Sequence, residues 1–161
     1  VGFGLILTNL IIKVLDGTPI LDNAMRLMEN AFSAQNTLQG IIILLVIIIG
    51  APFVEELLFR GVLFEELNRV VSTKTTIILT ALIFALYHFN ILQTPNTFFM
   101  GLILAYVYYN TRSIKAPIIV HLTNNLLATM PFIDQGFTPM GFAIYIGFLA
   151  IGIYSLSTLR K

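Results

Sequence analysis

Long apolar runs, broken by a few polar residues, dominate the chain. Residues 1 to 15 are apolar up to Lys13. At a ~1.5 Å rise per residue they reach about 22 Å, short of a ~30 Å hydrocarbon core, so they read as the end of a longer span. Asp16-Gly17-Thr18-Pro19 then breaks the run, with Thr18 suited to an N-cap and Pro19 to the first helical position. From there the period changes. Ile20, Leu21, Ala24, Met25, Met28, Ala31 and Phe32 recur at helical spacing, with Asp22, Asn23, Arg26, Glu29, Asn30 and Ser33 opposite. This pattern predicts an amphipathic helix over 18–35, lying on a membrane surface and not crossing it.

Five further apolar stretches follow, at 38–68, 75–89, 96–109, 116–130 and 140–156. Gly50-Ala51-Pro52 predicts a kink in the first. The connections are short, so neighbouring helices should be antiparallel. No internal repeat is visible, and no alternation of ten-residue strands that would suggest a barrel. The expected fold class is all-α. It is a polytopic transmembrane bundle of about six spans plus one interfacial amphipathic helix, forming a single membrane domain over 1–161 with its core at 38–131.

Composition sharpens this reading. Of 161 residues, 57% are hydrophobic and only 11% charged, against about 25% charged in ordinary soluble domains. Mean hydropathy is +0.90. A net charge of +1 offers no basic patch for nucleic acid, so no such partner is expected. The absence of Cys excludes disulfides, thiolate metal sites and Cys nucleophiles. Arg69 with Lys74, Arg112 with Lys115, and Arg160 with Lys161 fall on one membrane side if each stretch crosses once. The turns at 90–95 and 131–139 carry no Lys or Arg. The positive-inside rule then makes the basic side cytoplasmic, with Tyr106, Tyr108, Tyr109 and Tyr154 near it as an interfacial belt. The expected location is multi-pass in a membrane, with the basic turns on the cytoplasmic side.

Ionisable residues inside such spans are costly, roughly 2.5–3.5 kcal/mol per charge on insertion scales. Glu55, Glu56, Arg60, His88 and His121 are therefore candidates for function. Counting from a turn centred near residue 71, Glu55 lies about 16 residues before it and His88 about 17 after, so the two share a depth. The same count through the third stretch leaves His121 about 12 Å nearer the basic side than His88. Asn125, one turn deeper on the same face, narrows that gap by about 6 Å. Glu56 and Arg60 are four apart in the favourable acid-before-base order. Arg60 can hold one carboxylate charged, which frees Glu55 for proton exchange as a general base. The bland alternatives stay open: a structural Glu56–Arg60 brace, and His121, Asn124 and Asn125 as interhelical hydrogen bonders.

Elimination narrows the chemistry. No HExxH zinc-protease helix, no GxSxG elbow and no Asp within a span is present. Carboxylate plus imidazole plus amide remains. That set can activate water, with Glu55 taking the proton, His88 positioning the water, and His121 with Asn125 stabilising an oxyanion. No cofactor is expected. The alternative is zinc held by Glu55, His88 and His121.

Glu55-Glu56-Leu57-Leu58-Phe59-Arg60 resembles the EExxxR motif of the CPBP family, the type II CAAX prenyl endopeptidases and bacteriocin-processing membrane proteases. Phe84-Ala85-Leu86-Tyr87-His88 is similar to its FxxxH motif, and His121-Leu122-Thr123-Asn124-Asn125 to its HxxxN motif. The match spans about residues 51–131, and the three motifs together are specific. The resemblance implies an all-helical intramembrane glutamate protease that cuts peptide bonds near the membrane boundary. It implies Glu55, His88, His121 and Asn125 as catalytic residues, with Glu56 and Arg60 in support. It also implies further helices before Val1. The expected partners are membrane lipid and a membrane-anchored or lipidated peptide or protein substrate. The competing reading is a non-proteolytic immunity protein or sensor-kinase regulator of the same family, with a sensor kinase as partner.

Overall fold

The computed structural model describes residues 2–129, with side chains from Leu7 onward. The expected turn at 131–139 and stretch at 140–156 lie outside the described residues, as do Tyr154, Arg160 and Lys161. Within the described residues the chain is all-α, with six helices and no strand. They are α1 (Gly2–Leu15), α2 (Pro19–Phe32), a continuous α3 (Thr37–Val70), α4 (Thr73–Tyr87), α5 (Thr94–Thr111) and α6 (Lys115–Ala128).

Local chemistry sets the boundaries. Thr18 caps α2 by accepting from Leu21 N at 3.4 Å, with Pro19 in the first turn. Gly17 supplies the positive φ of 71° that the α1–α2 turn requires. Asn36 caps α3 by accepting from Gln39 N at 2.9 Å, and Ser72 caps α4 by accepting from Thr75 N at 3.3 Å.

At Gly50-Ala51-Pro52, α3 does not stop but widens. Pro52 has no N–H to donate, and its ring would press on the carbonyl four residues back. The chain accommodates it with a π-helical turn over Val46–Gly50, just before the buried proline. A second π-helical stretch, Leu57–Phe64, carries Phe59, Arg60 and Phe64 to buried positions. Such widened turns are frequent at functional sites.

The outer face of α3 is apolar, and several polar residues are buried within the bundle. Ile41, Ile42, Leu44, Leu45, Val46, Ile49, Phe53, Val54, Leu57, Leu58 and Val62 all face outward along α3, while Glu56, Arg60, Thr76, Thr80 and His121 are buried. An apolar exterior of this extent suits lipid and not water. By length and composition, α3 is the helix among the described residues fit to cross a membrane. Helices α4 and α5 meet through small residues. A Cβ on Gly101 would come within 2.9 Å of the Ala81 Cα, so the two backbones touch there. The buried hydroxyls of Thr76 and Thr80 donate to Ser72 O and Thr76 O within their own helix.

The amphipathic α2 forms as expected, but much of its apolar face is seated on protein. Leu21 and Ala24 pack with Leu92, and with Ile11, Ile12, Leu15 and Met28 around them. Ile20, Met25, Leu27 and Phe32 remain exposed on its flanks.

Candidate active site

The site is built around α3. Glu55 and Glu56 are neighbours, so a helical turn of about 100° separates their directions. Glu56 points inward and is fully buried. Its Oε1 accepts from Arg60 Nη1 at 2.9 Å and from His121 Nδ1 at 2.8 Å. Arg60, also fully buried, donates through Nη2 to the Gly101 carbonyl at 3.0 Å. Its guanidinium stands 4.9 Å from the centre of the Phe84 ring. A buried guanidinium is costly unless its charge and donors are met. Here a carboxylate meets Nη1, a backbone carbonyl meets Nη2 and an aromatic face meets the charge, while Nε is buried without a hydrogen-bond partner among the described residues.

Glu55 faces the other side of the imidazole. Its Oε2 lies 3.8 Å from His121 Nε2, and its side chain keeps 16% exposure. His121 thus sits between the two glutamates. The Glu56 oxygen accepts from Arg60 and takes an N–H from Nδ1 of His121, which turns Nε2 toward Glu55.

His88 caps the C-terminal end of α4. Its Nδ1 is 2.9 Å from the Phe84 carbonyl, one turn back. Glu55 is within electrostatic reach of both His88 and His121. The Phe84 ring organises both imidazoles, lying edge-on to His88 at 5.0 Å and to His121 at 5.7 Å. Asn125 lies on α6, one turn beyond His121. Its Nδ2 donates to Ile47 O at 2.9 Å, inside the widened turn of α3, and its Oδ1 accepts from Asn124. Its hydrogen bonds therefore go to the α3 backbone and Asn124, not to the glutamates.

The structure corrects the expected displacement of His121. That count put the α3–α4 and α5–α6 turns in one plane, but they are staggered. Tyr108 donates to Glu65 at 2.8 Å, and Arg112 stands 3.9 Å from the same carboxylate. The end of α5 is thus level with Glu65, roughly 8 Å short of the α3 terminus at Val70. Glu56 lies nine residues before Glu65, and His121 nine after Arg112. The two come level.

Three participants escaped the sequence. Gly101 and Ile47 act through backbone carbonyls, which carry no side-chain signature. Phe84 was legible as a motif position but not as the ring that touches Arg60, His88 and His121.

The zinc alternative meets a geometric obstacle. Among the described residues, no three His, Cys, Asp or Glu side chains converge as metal ligands would. In this geometry Glu55, His88 and His121 are not gathered around one point as zinc ligands would be.

A family model, type II CAAX prenyl endopeptidase Rce1-like, matches residues 37–127. The chain belongs to this family of CAAX proteases, and it is a membrane protein. It is similar to the membrane-embedded CAAX protease MroQ of Staphylococcus aureus (strain USA300), with 40% identity over 91 residues. That match covers 53% of this chain and 36% of the relative, so the chain spans about a third of the relative's length. No solved structure matches. The matched region contains Glu55, Glu56, Arg60, His88, His121 and Asn125.

Proposed function

We propose that the chain is an intramembrane endopeptidase that hydrolyses a peptide bond near the membrane boundary through water activated by Glu55. The observation that carries this reading is the position of His121 between Glu56 and Glu55. Glu56 is occupied by Arg60 and His121, whereas Glu55 is partly exposed and free to take a proton. The acid–base work falls to Glu55 and the fixing of geometry to Glu56.

In the proposed reaction, water held between Glu55 and His88 gives a proton to Glu55. The resulting hydroxide adds to the carbonyl carbon. Charge develops on the carbonyl oxygen, and His121 in its doubly protonated form donates to it through Nε2. In that form, the buried group balances two carboxylates against Arg60 and His121. Asn125 uses one amide N–H on Ile47 O and has a second to offer. Collapse of the intermediate breaks the C–N bond, and Glu55 returns its proton to the leaving amine. No step needs a metal. The expected substrate is a membrane-anchored or lipidated peptide.

The test is purified protein in detergent with a quenched-fluorescent peptide library, wild type against Glu55→Ala. Cleavage by the wild type alone supports the reading. Equal cleavage by both, or by neither, contradicts it.

A further inference from the structure

The turn that follows His88 takes an unfavourable backbone conformation where α4 ends, with Phe89 N donating to Leu86 O at 3.0 Å. Phe89 has φ of 50°, in the left-handed region that glycine occupies at little cost and a bulky aromatic rarely does. Its ring lies tilted 6.4 Å from Tyr87 and is 85% exposed, so burial of the ring does not explain the conformation. Backbone strain of this kind persists only where the surroundings over-determine it.

The surroundings are supplied by the next residue. Asn90 is buried, and both ends of its side-chain amide and its carbonyl are hydrogen-bonded. Its Oδ1 accepts from Leu92 N at 2.9 Å, closing the turn on itself. Its carbonyl accepts from Gln93 N, Thr94 N and Thr94 Oγ1, starting α5. Its Nδ2 donates at 2.9 Å to Ala24 O, in the middle of α2 and 66 positions away. A second tie runs in parallel, from Thr8 Oγ1 in α1 to Leu92 O at 2.9 Å. The apolar cluster of Leu21, Ala24 and Leu92 lies directly beneath. The α1–α2 pair is thus fastened to the segment immediately after His88.

We propose that Asn90 is a positioning residue for His88: by tying the turn to α2 it holds Phe89 in the left-handed conformation that ends α4 and fixes the His88 ring. In this reading α2 is more than an anchor. Its polar face is turned outward and its exposed flank residues Ile20, Met25, Leu27 and Phe32 suit the membrane interface, so the seat of α2 sets the geometry at His88. The turnover part of the test rests on the protease reading. The exchange part does not.

Asn90→Asp keeps the acceptor for Leu92 N and removes the donor to Ala24 O. Turnover on the quenched peptides should fall about 10–100-fold, as expected for slight misplacement of a reacting group. KM should stay within about twofold, because no substrate contact is removed. Phe89→Gly releases the need for the hold, so Phe89→Gly/Asn90→Asp should return to within about threefold of Phe89→Gly alone. A merely structural Asn90 would show no such rescue. In amide hydrogen exchange, Asn90→Asp should deprotect residues 88–94 together with 19–32. If Asn90→Asp does not fold, Thr8→Val, which removes the parallel tie, carries the same measurements. Wild-type turnover in the variant, a loss that Phe89→Gly leaves in place, or wild-type protection of residues 88–94 would overturn the proposal. If the wild type cleaves no peptide, the exchange result decides alone, and the failure belongs to the protease reading.

Discussion

Nδ1 of His121 lies 2.8 Å from Oε1 of Glu56, across 65 positions of sequence. The same oxygen accepts from Arg60 Nη1 at 2.9 Å. One carboxylate oxygen therefore joins α3 to α6 and dictates which nitrogen of His121 faces Glu55. Glu56 is fully buried in this pair of hydrogen bonds while Glu55 keeps 16% exposure, and the proposed division of roles rests on that difference.

Arg60→Ala should destabilise the protein by about 3–5 kcal/mol, because it leaves Glu56 buried without its cation. Arg60→Lys should recover only part of this, since an ammonium cannot reach Glu56 and Gly101 O with the same fork. Thermal or denaturant unfolding in detergent measures both. An Arg60→Ala protein that melts like the wild type would contradict the buried pair.

Gly101→Ala should cost about 1–3 kcal/mol through overpacking. The added Cβ meets the Ala81 Cα at 2.9 Å, which is backbone and cannot swing aside. The resulting separation of α4 from α5 also withdraws the carbonyl that receives Arg60. Gly101→Ser should behave alike. Unfolding curves indistinguishable from the wild type would show that the two helices are not in contact at this point.

Asn125→Asp should lower turnover on the order of 10²–10³-fold with a modest change in substrate binding, the usual consequence of losing an oxyanion donor. The substitution also removes the donor to Ile47 O, so a moderate drop in stability should accompany it. Asn124→Ala, beside it, should leave turnover within a few-fold of the wild type. Equal losses in kcat/KM from both variants would remove the special role assigned to Asn125.

Metal removal divides the two chemistries considered for this site. Turnover should be largely insensitive to chelators, and elemental analysis should find no stoichiometric zinc. One zinc per chain, lost on chelation together with activity and restored with it on adding zinc back, would defeat the glutamate–water reading.

Much of this was legible in the sequence because it depends on period and spacing. The apolar runs gave the helices, and Thr18 caps α2 as its place just before Pro19 indicates. The four-residue step from Glu56 to Arg60 foretold their pair. The position of His121 was not legible, because it depends on the stagger between two turns. That stagger is set by Tyr108 and Arg112 meeting Glu65, three residues that read only as interfacial. The widening of α3 was read as a kink, since a proline announces a disturbance but not the form it takes. The Asn90 tie was invisible too: a lone amide in a turn gives no sign that it reaches a helix 66 positions earlier.

The division of labour between the adjacent glutamates is tested most directly by comparing Glu55→Gln with Glu56→Gln. Cleavage of quenched peptides and thermal unfolding are measured on the same preparations. Glu55→Gln keeps size and removes the base, so turnover should vanish while unfolding stays at the wild-type temperature. Glu56→Gln removes the buried charge that holds Arg60 and His121, so its unfolding temperature should drop markedly, with turnover lost alongside it. Wild-type turnover in Glu55→Gln, or unchanged unfolding in Glu56→Gln, would contradict the assignment.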